Sequence, residues 1–277
     1  MERLKPYYET HQTILRVENV SQNLGGNQIL REVNCEVKDI HRPEKVTGQI
    51  VGILGPSGVG KTRLFRILAG LDQPDTGRVL LGENAEPVRR GMVGVVAQHY
   101  PLFQHRTVMG NLLVAGRRAG LSRELARQKA QGLLERFGLL DRAHHYPAML
   151  SGGQRQRVAI AQQFMCSEHF LLMDEPFSGL DPMAVEEVAE LIAEVANAHT
   201  LNTILVVTHD IVAALEAADT IWLMGRDRDP QGQVIPGARI QESFNLKDMG
   251  LAWRKGIAST PEFLELLRVI RERFVTL

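Results

Sequence analysis

The run Gln49-Ile50-Val51-Gly52-Ile53-Leu54, followed at once by Gly55-Pro56-Ser57-Gly58-Val59-Gly60-Lys61-Thr62, constrains the fold more than any other stretch of the chain. A short apolar run ending at glycine suits a central strand buried on both faces of a parallel sheet. The octapeptide matches G-x-x-x-x-G-K-[ST] at every position, and it sits between a strand and a helix, the context the motif needs. Its glycines let the backbone curl until successive N–H groups point inward at an anion. The helix beyond adds the positive end of its dipole. In such a loop Lys61 reaches the outer phosphates of a nucleotide and the Thr62 hydroxyl ligates Mg²⁺. Residues 61–70 read as that helix, with Leu64, Ile67 and Leu68 on one face and Gly70 as its stop.

The rest of the pattern builds an α/β domain around this unit. Residues 1–12 read as a polar lead, and 14–20 and 29–37 as strands joined by Gly25-Gly26-Asn27, giving an N-terminal antiparallel β region. Residues 39–48 read as a loop. Helices are expected over 108–115 and 123–137, with a turn at Asp141, as a helical subdomain inserted into the core. A helix over 154–165, a buried strand over 170–173, an amphipathic helix over 182–198 and strands over 203–207 and 221–224 complete the series. Alternation of this kind argues for a mainly parallel sheet covered by helices. Residues 226–237 read as a long hairpin linking edge strands. Thr260-Pro261-Glu262 starts a last helix, with Phe263, Leu267, Ile270 and Phe274 as an apolar stripe docked on its own domain.

Composition narrows the class. Hydrophobic residues make up 44% of 277, enough for a sizeable core. Thirty-two basic and thirty-two acidic residues cancel, so a nucleic-acid partner, which needs clustered positive charge, is not expected. Cys35 and Cys166 lack metal-ligand spacing and are expected in the core of a protein from a reducing compartment. No stretch approaches the ~20 apolar residues of a membrane helix, and the start, Met1-Glu2-Arg3-Leu4-Lys5-Pro6, lacks a signal peptide's apolar core. A pore, if the chain serves one, is expected on another polypeptide.

Two further segments carry chemistry. Phe170-Leu171-Leu172-Met173-Asp174-Glu175 delivers two carboxylates to the end of a buried strand, the end where open α/β sheets place their sites. Asp174 is thereby expected beside the metal, and Glu175 where a carboxylate can orient or deprotonate water. Leu150-Ser151-Gly152-Gly153-Gln154 supplies a second short turn able to present N–H groups to an anion. At this point the chain resembles the ATP-binding subunits of ABC transporters, for which Leu-Ser-Gly-Gly-Gln is the signature. The likeness covers roughly residues 14–225, with the motifs in the family's order.

The fold implied by the resemblance is α/β, a P-loop NTPase core with a mainly parallel sheet, an N-terminal antiparallel β region and an inserted helical subdomain. Its implied parts are a core over 13–98, the helical subdomain over 99–153, the core continued over 154–225, and a C-terminal hairpin and helix over 226–277. Lys61, Gln98, Glu175 and His209 match the family's catalytic positions, and Thr62, Gln98 and Asp174 match its metal positions. Gly55, Pro56, Ser57, Gly58, Val59, Gly60, Lys61 and Thr62 match its nucleotide-binding positions, together with Ser151, Gly152, Gly153, Gln154 and Asp181. ATP and Mg²⁺ are the implied cofactors. Likeness to the family also implies two copies packed head to tail, Ser151 of one facing the phosphate loop of the other, with ATP as the adhesive. Transmembrane permease subunits and a solute-binding protein are the implied partners, at the cytoplasmic face of the membrane. The segment 98–105, including Phe103, matches the surface that receives a helix of the membrane subunit.

The likeness is greatest to nitrate, sulfonate and taurine importers, and next to polar amino acid importers. The alternatives are a soluble ABC ATPase acting on ribosomes or DNA, and the energising subunit of an exporter or lipid-handling complex. One departure concerns the base: Leu24 stands where the family carries an aromatic against adenine, so a stacking increment of about 1 kcal/mol is missing. Tyr7 or Tyr8 is a candidate substitute.

Overall fold

A computed structural model describes residues 8–43, 48–97, 101–166, 169–197, 202–254 and 256–277. In chain order the elements are β1 (Glu9–Leu24), β2 (Asn27–His41), β3 (Gln49–Leu54), α1 (Lys61–Leu68), β4 (Thr76–Leu81), β5 (Glu86–Pro87), β6 (Gly94–Val96), α2 (Val108–Arg118), α3 (Arg123–Arg136) and α4 (Gly152–Phe164). They continue with β7 (Phe170–Asp174), α5 (Pro182–Ala196), β8 (Thr203–Thr208), α6 (Ile211–Ala217), β9 (Thr220–Arg228), β10 (Val234–Asn245) and α7 (Pro261–Phe274). Among the described residues the strands form one sheet in the order β5-β4-β1-β2-β10-β9-β3-β8-β7-β6. β9, β3, β8, β7 and β6 run parallel, and β5, β4, β1 and β2 are antiparallel. This is the mixed α/β architecture expected.

All six residues of β3 are buried, because neighbours flank it on both edges and helices or strands cover both faces. Alternate side chains leave on opposite faces. Ile50 and Leu54 of β3, with Ile204 and Val206 of β8, enter one core together with α2 to α7. Val51 and Ile53, with Leu205 and Val207, enter a second core shared with α1 and the antiparallel strands. The helix after the phosphate loop and the helix after the signature turn are therefore anchored on opposite faces of the sheet. α1 stops as expected: Gly70 takes φ 66, and its N–H and that of Leu71 donate to Ile67 and Arg66 carbonyls, closing a Schellman cap.

Several expectations are corrected. Residues 9–12 and 39–41 belong to β1 and β2, since the two strands pair from Glu9↔His41 to Leu24↔Asn27. Their alternation slips at Asn19 (φ 49) and Glu32 (φ 46), where register shifts mark bulges that a strict period of two misses. The 226–237 hairpin exists, but it does not link edge strands. β9 pairs with β3, and β10 meets β2 in parallel at Ala238↔Leu30, so the hairpin joins the two halves of the sheet. β4, β5, β6 and α6 went unanticipated; they are two to seven residues long, too short for a periodic signal. Cys166 is exposed just past the end of α4, with its thiol 3.3 Å from the Ala115 carbonyl, and not in the core; Cys35 is half-buried. α7 docks on its own domain, burying Phe263, Leu266, Leu267 and Ile270 beside α6.

Asp219 ties the entrance of β9 to β3. Its carboxylate accepts from the Ile50 N–H (2.8 Å), and its own N–H donates to the Ile50 carbonyl (2.8 Å). Burial pushes this carboxyl up to about 7, against the opposing pull of the Ile50 N–H, Lys247 and Arg42. Between its ordinary value and about 7 the folded state holds a proton that the unfolded chain has lost, so stability falls as pH rises through that window. Asp219→Asn should flatten this fall; urea midpoints taken at intervals from pH 5 to 8 check it, and parallel curves for the two proteins would refute it.

Candidate functional site

The phosphate loop leaves β3 with no room for a side chain at its first residue. A Cβ on Gly55 would lie 2.5 Å from the Met224 carbonyl of β9, and Gly58 takes φ 77, left-handed backbone that favours glycine. Gly60 begins α1 without a side-chain cap, so nothing from a capping side chain occupies the N–H groups of the first turn. Pro56 and Gly60 are half-buried, Val59 is buried, and Ser57, Gly58 and Thr62 are exposed. Lys61 folds back over the loop: its Nζ donates to the Gly55 carbonyl (2.7 Å) and the Pro56 carbonyl (3.1 Å). The side chain is only 7% exposed. Burial lowers the affinity of this amine for its proton, while Glu175 and Asp174 act in the opposite direction.

Across the sheet the two carboxylates stand at the end of β7. Burial, and then the Glu175 charge beside it, raise the Asp174 carboxyl above the usual range; Lys61 partly offsets both. Lys61, Asp174 and Glu175 thus form one electrostatic group between the start of α1 and the end of β7. Glu175 sits at φ 48, a conformation that costs a non-glycine residue about 1–3 kcal/mol. Its N–H donates to the Val207 carbonyl (2.8 Å), its Oε1 lies 2.9 Å from His209 Nδ1, and its Oε2 accepts from Thr208 Oγ1 at 3.0 Å. His209 itself is exposed.

The second turn lies elsewhere. Ser151 caps α4 in a reciprocal box: its Oγ accepts from the Gln154 N–H (3.2 Å), and the Gln154 Oε1 accepts from the Ser151 N–H (3.0 Å). Ser151, Gly152 and Gly153 are exposed, and neither glycine has a neighbour within 4 Å of a would-be Cβ. Asp181 caps α5 by accepting from the Met183 and Ala184 N–H groups, each at 3.0 Å.

The ABC transporter family profile matches residues 44–178. The chain is 38% identical over 220 residues to the sulfate/thiosulfate import ATP-binding protein CysA of Synechococcus elongatus, covering 78% of this chain and 61% of that protein. It is 33% identical over 240 residues to the arginine transport ATP-binding protein ArtM of Bacillus subtilis, covering 83% of this chain and 93% of that one. The chain belongs to the ABC transporter ATP-binding subunits. Its fold matches the solved cbiO1 of Clostridium perfringens, part of the ABC transporter complex cbiONQ, at TM-score 0.71 and 27% identity over 94% of this chain and 100% of that one. An ATP-binding cassette in its ADP conformation matches at TM-score 0.68 and 23% identity over 94% of this chain and 99% of that one, a likeness of fold. The chain spans less than two thirds of the length of the CysA relative.

In this ABC subunit the structure brings Lys61, Asp174, Glu175 and His209 together near the C-terminal ends of β3, β7 and β8, and places Ser151–Gln154 at the head of α4. Gln98 and Tyr7 lie outside the described residues. Leu24 is 48% exposed at the tip of the β1–β2 hairpin. Tyr8 is no substitute for the missing aromatic. It meets Trp253 edge-on at 6.0 Å and accepts from Asn245 Nδ2 at 3.0 Å. Asn245 pairs with Thr220 at the opposite end of the strands from the phosphate loop. Two contacts were not anticipated, Thr208 on Glu175 and Arg226, whose Nη2 donates to the Gly58 carbonyl at 3.4 Å. Thr208 immediately precedes the motif histidine, the one signal that could have found it.

The Ser151 cap is a separable structural contribution. Ser151→Ala should lower unfolding stability by about 1 kcal/mol, read as a shifted urea midpoint with an unchanged slope; an unshifted midpoint would show that the cap is dispensable to the fold.

Proposed function

We propose that this chain binds and hydrolyses ATP to power import of a solute through separate transmembrane subunits, on the cytoplasmic face of the membrane and alongside a solute-binding protein. The observation that carries the reading is Glu175, fixed by three hydrogen bonds at a strained position beside Lys61 and Asp174. A carboxylate so held can orient or deprotonate a water for attack on the terminal phosphate. Lys61, released from the Gly55 and Pro56 carbonyls, turns its ammonium to the outer phosphates. His209, exposed and joined to Glu175, touches the same phosphate.

The donor set fits Mg²⁺. Thr62 and Asp174 supply hard oxygens, and among the described residues no group of three or more His, Cys, Asp or Glu forms a metal cage. A cation here would take its other ligands from phosphates, water and Gln98. When bound, it would neutralise developing phosphate charge. Asp174 is suited to hold it: burial disfavours the lone carboxylate, and a cation favours it.

The signature turn completes the reading. Because α1 and α4 are rooted on opposite faces of the sheet, Ser151 and Gly153 are best placed to serve the phosphate loop of a second copy. Asp181, exposed at the start of α5, belongs to that same seam. Exposed Phe103, with Tyr146 and Met149 also uncovered on the helical subdomain, supports docking of a membrane subunit there. No helix among the described residues is long and apolar enough to cross a membrane. The named relatives serve an inorganic oxyanion and a cationic amino acid, which supports placing solute choice in the other subunits.

Glu175→Gln should lower ATP turnover by about 10²-fold or more while ATP binding by calorimetry persists, so the variant accumulates as an ATP-bound pair of subunits. Normal turnover would remove Glu175 from the catalytic role.

A further inference from the structure

Thr208 is the last residue of β8, and it is completely buried. Its hydroxyl lies between two groups: Oγ1 is 3.0 Å from Glu175 Oε2 and 3.1 Å from the backbone nitrogen of Asp210. A hydroxyl has one proton to give and lone pairs to receive with. The Asp210 N–H can only donate, so it uses a lone pair of Oγ1, and the single hydroxyl proton is directed at the Glu175 carboxylate. The polarity of the chain is thereby set, from the Asp210 N–H to Thr208 to Glu175. Asp210 is itself fixed, because its side chain caps α6 by accepting from the Ala213 N–H at 3.1 Å.

The two oxygens of Glu175 are held unequally. Oε1 is held by His209, whose side chain is 54% exposed and can swing with the ligand it meets. Oε2 is held by a buried β-branched residue with few rotamers. Of the two partners, only Thr208 offers a fixed reference. We propose that Thr208 is a positioning residue for the hydrolytic step: its hydroxyl holds the Glu175 carboxylate in line for water, and it keeps that alignment when His209 moves. The inference rests on the proposed role of Glu175 and adds a residue to it.

The test is steady-state ATP hydrolysis by the full chain and its Thr208→Val, Thr208→Ser and Glu175→Gln variants, with thermal unfolding of each. Valine keeps the shape and branching and removes the hydroxyl. Misplacing a reacting group by about an ångström costs on the order of 100-fold, so Thr208→Val should lower kcat by about 10- to 100-fold with KM for ATP unchanged, and Thr208→Ser should restore most of kcat. A Thr208→Val enzyme at full rate beside an inactive Glu175→Gln enzyme would overturn the inference and leave the role of Glu175 standing. A loss that serine does not rescue, or one that appears equally in KM, would overturn it in favour of a purely structural threonine. Full activity of Glu175→Gln would remove the role of Glu175 and the inference together.

Discussion

The burial of β3 between β8 and β9 is the constraint on which the rest of this protein depends. Six consecutive buried residues give the strand no freedom to slide, since each is paired on both sides or packed above and below. The phosphate loop starts where that strand ends, against the Met224 carbonyl, and only glycine fits there. Lys61 therefore sits where it does because β3 is held on both edges, and the same ladder brings Glu175 and Thr208 to the same height. A site assembled from the ends of three parallel strands inherits the rigidity of their hydrogen-bond ladder. Its chemistry is then a matter of which side chains stand at and just beyond the end of each strand.

The alternation of side chains through that sheet also divides the molecule. One face is covered by α1 and the antiparallel strands, the other by the helical subdomain and α5 to α7. The two turns suited to anions are attached to different faces, which supports the proposal that a nucleotide held by both is shared between two copies of the chain. The hairpin of β9 and β10 joins the halves, with Ala238 facing Leu30 on one side and Arg226 on the other. Arg226 in turn reaches the Gly58 carbonyl, linking the hairpin to the phosphate loop.

Much of this was legible from residues alone where the signal was local. The phosphate loop and the carboxylates at the end of β7 carry their chemistry in a few neighbouring positions, and they fold where their patterns indicate, whereas the α4 capping box starts that helix at Gly152, two residues ahead of the expected 154. What was not legible depends on distant partners. Nothing in the pattern of 226–237 says that the hairpin lies inside the sheet, because that is decided by pairing with β2 and β3. The slips at Asn19 and Glu32 are visible only in the register of one strand against the other. Tyr8 looked free to meet a base and is instead drawn to Trp253 and Asn245, far along the chain. The hydroxyl of Thr208 gains its meaning only from a carboxylate on another strand.

In the proposed arrangement two copies share each nucleotide. Cysteines placed at Ser57 in one copy and at Ser151 in another, in a Cys166→Ser background, test it by disulfide formation. A covalent pair is expected with Mg-ATP and little with Mg-ADP. Equal crosslinking under both conditions, none at all, or a link closed within a single chain would rule that arrangement out.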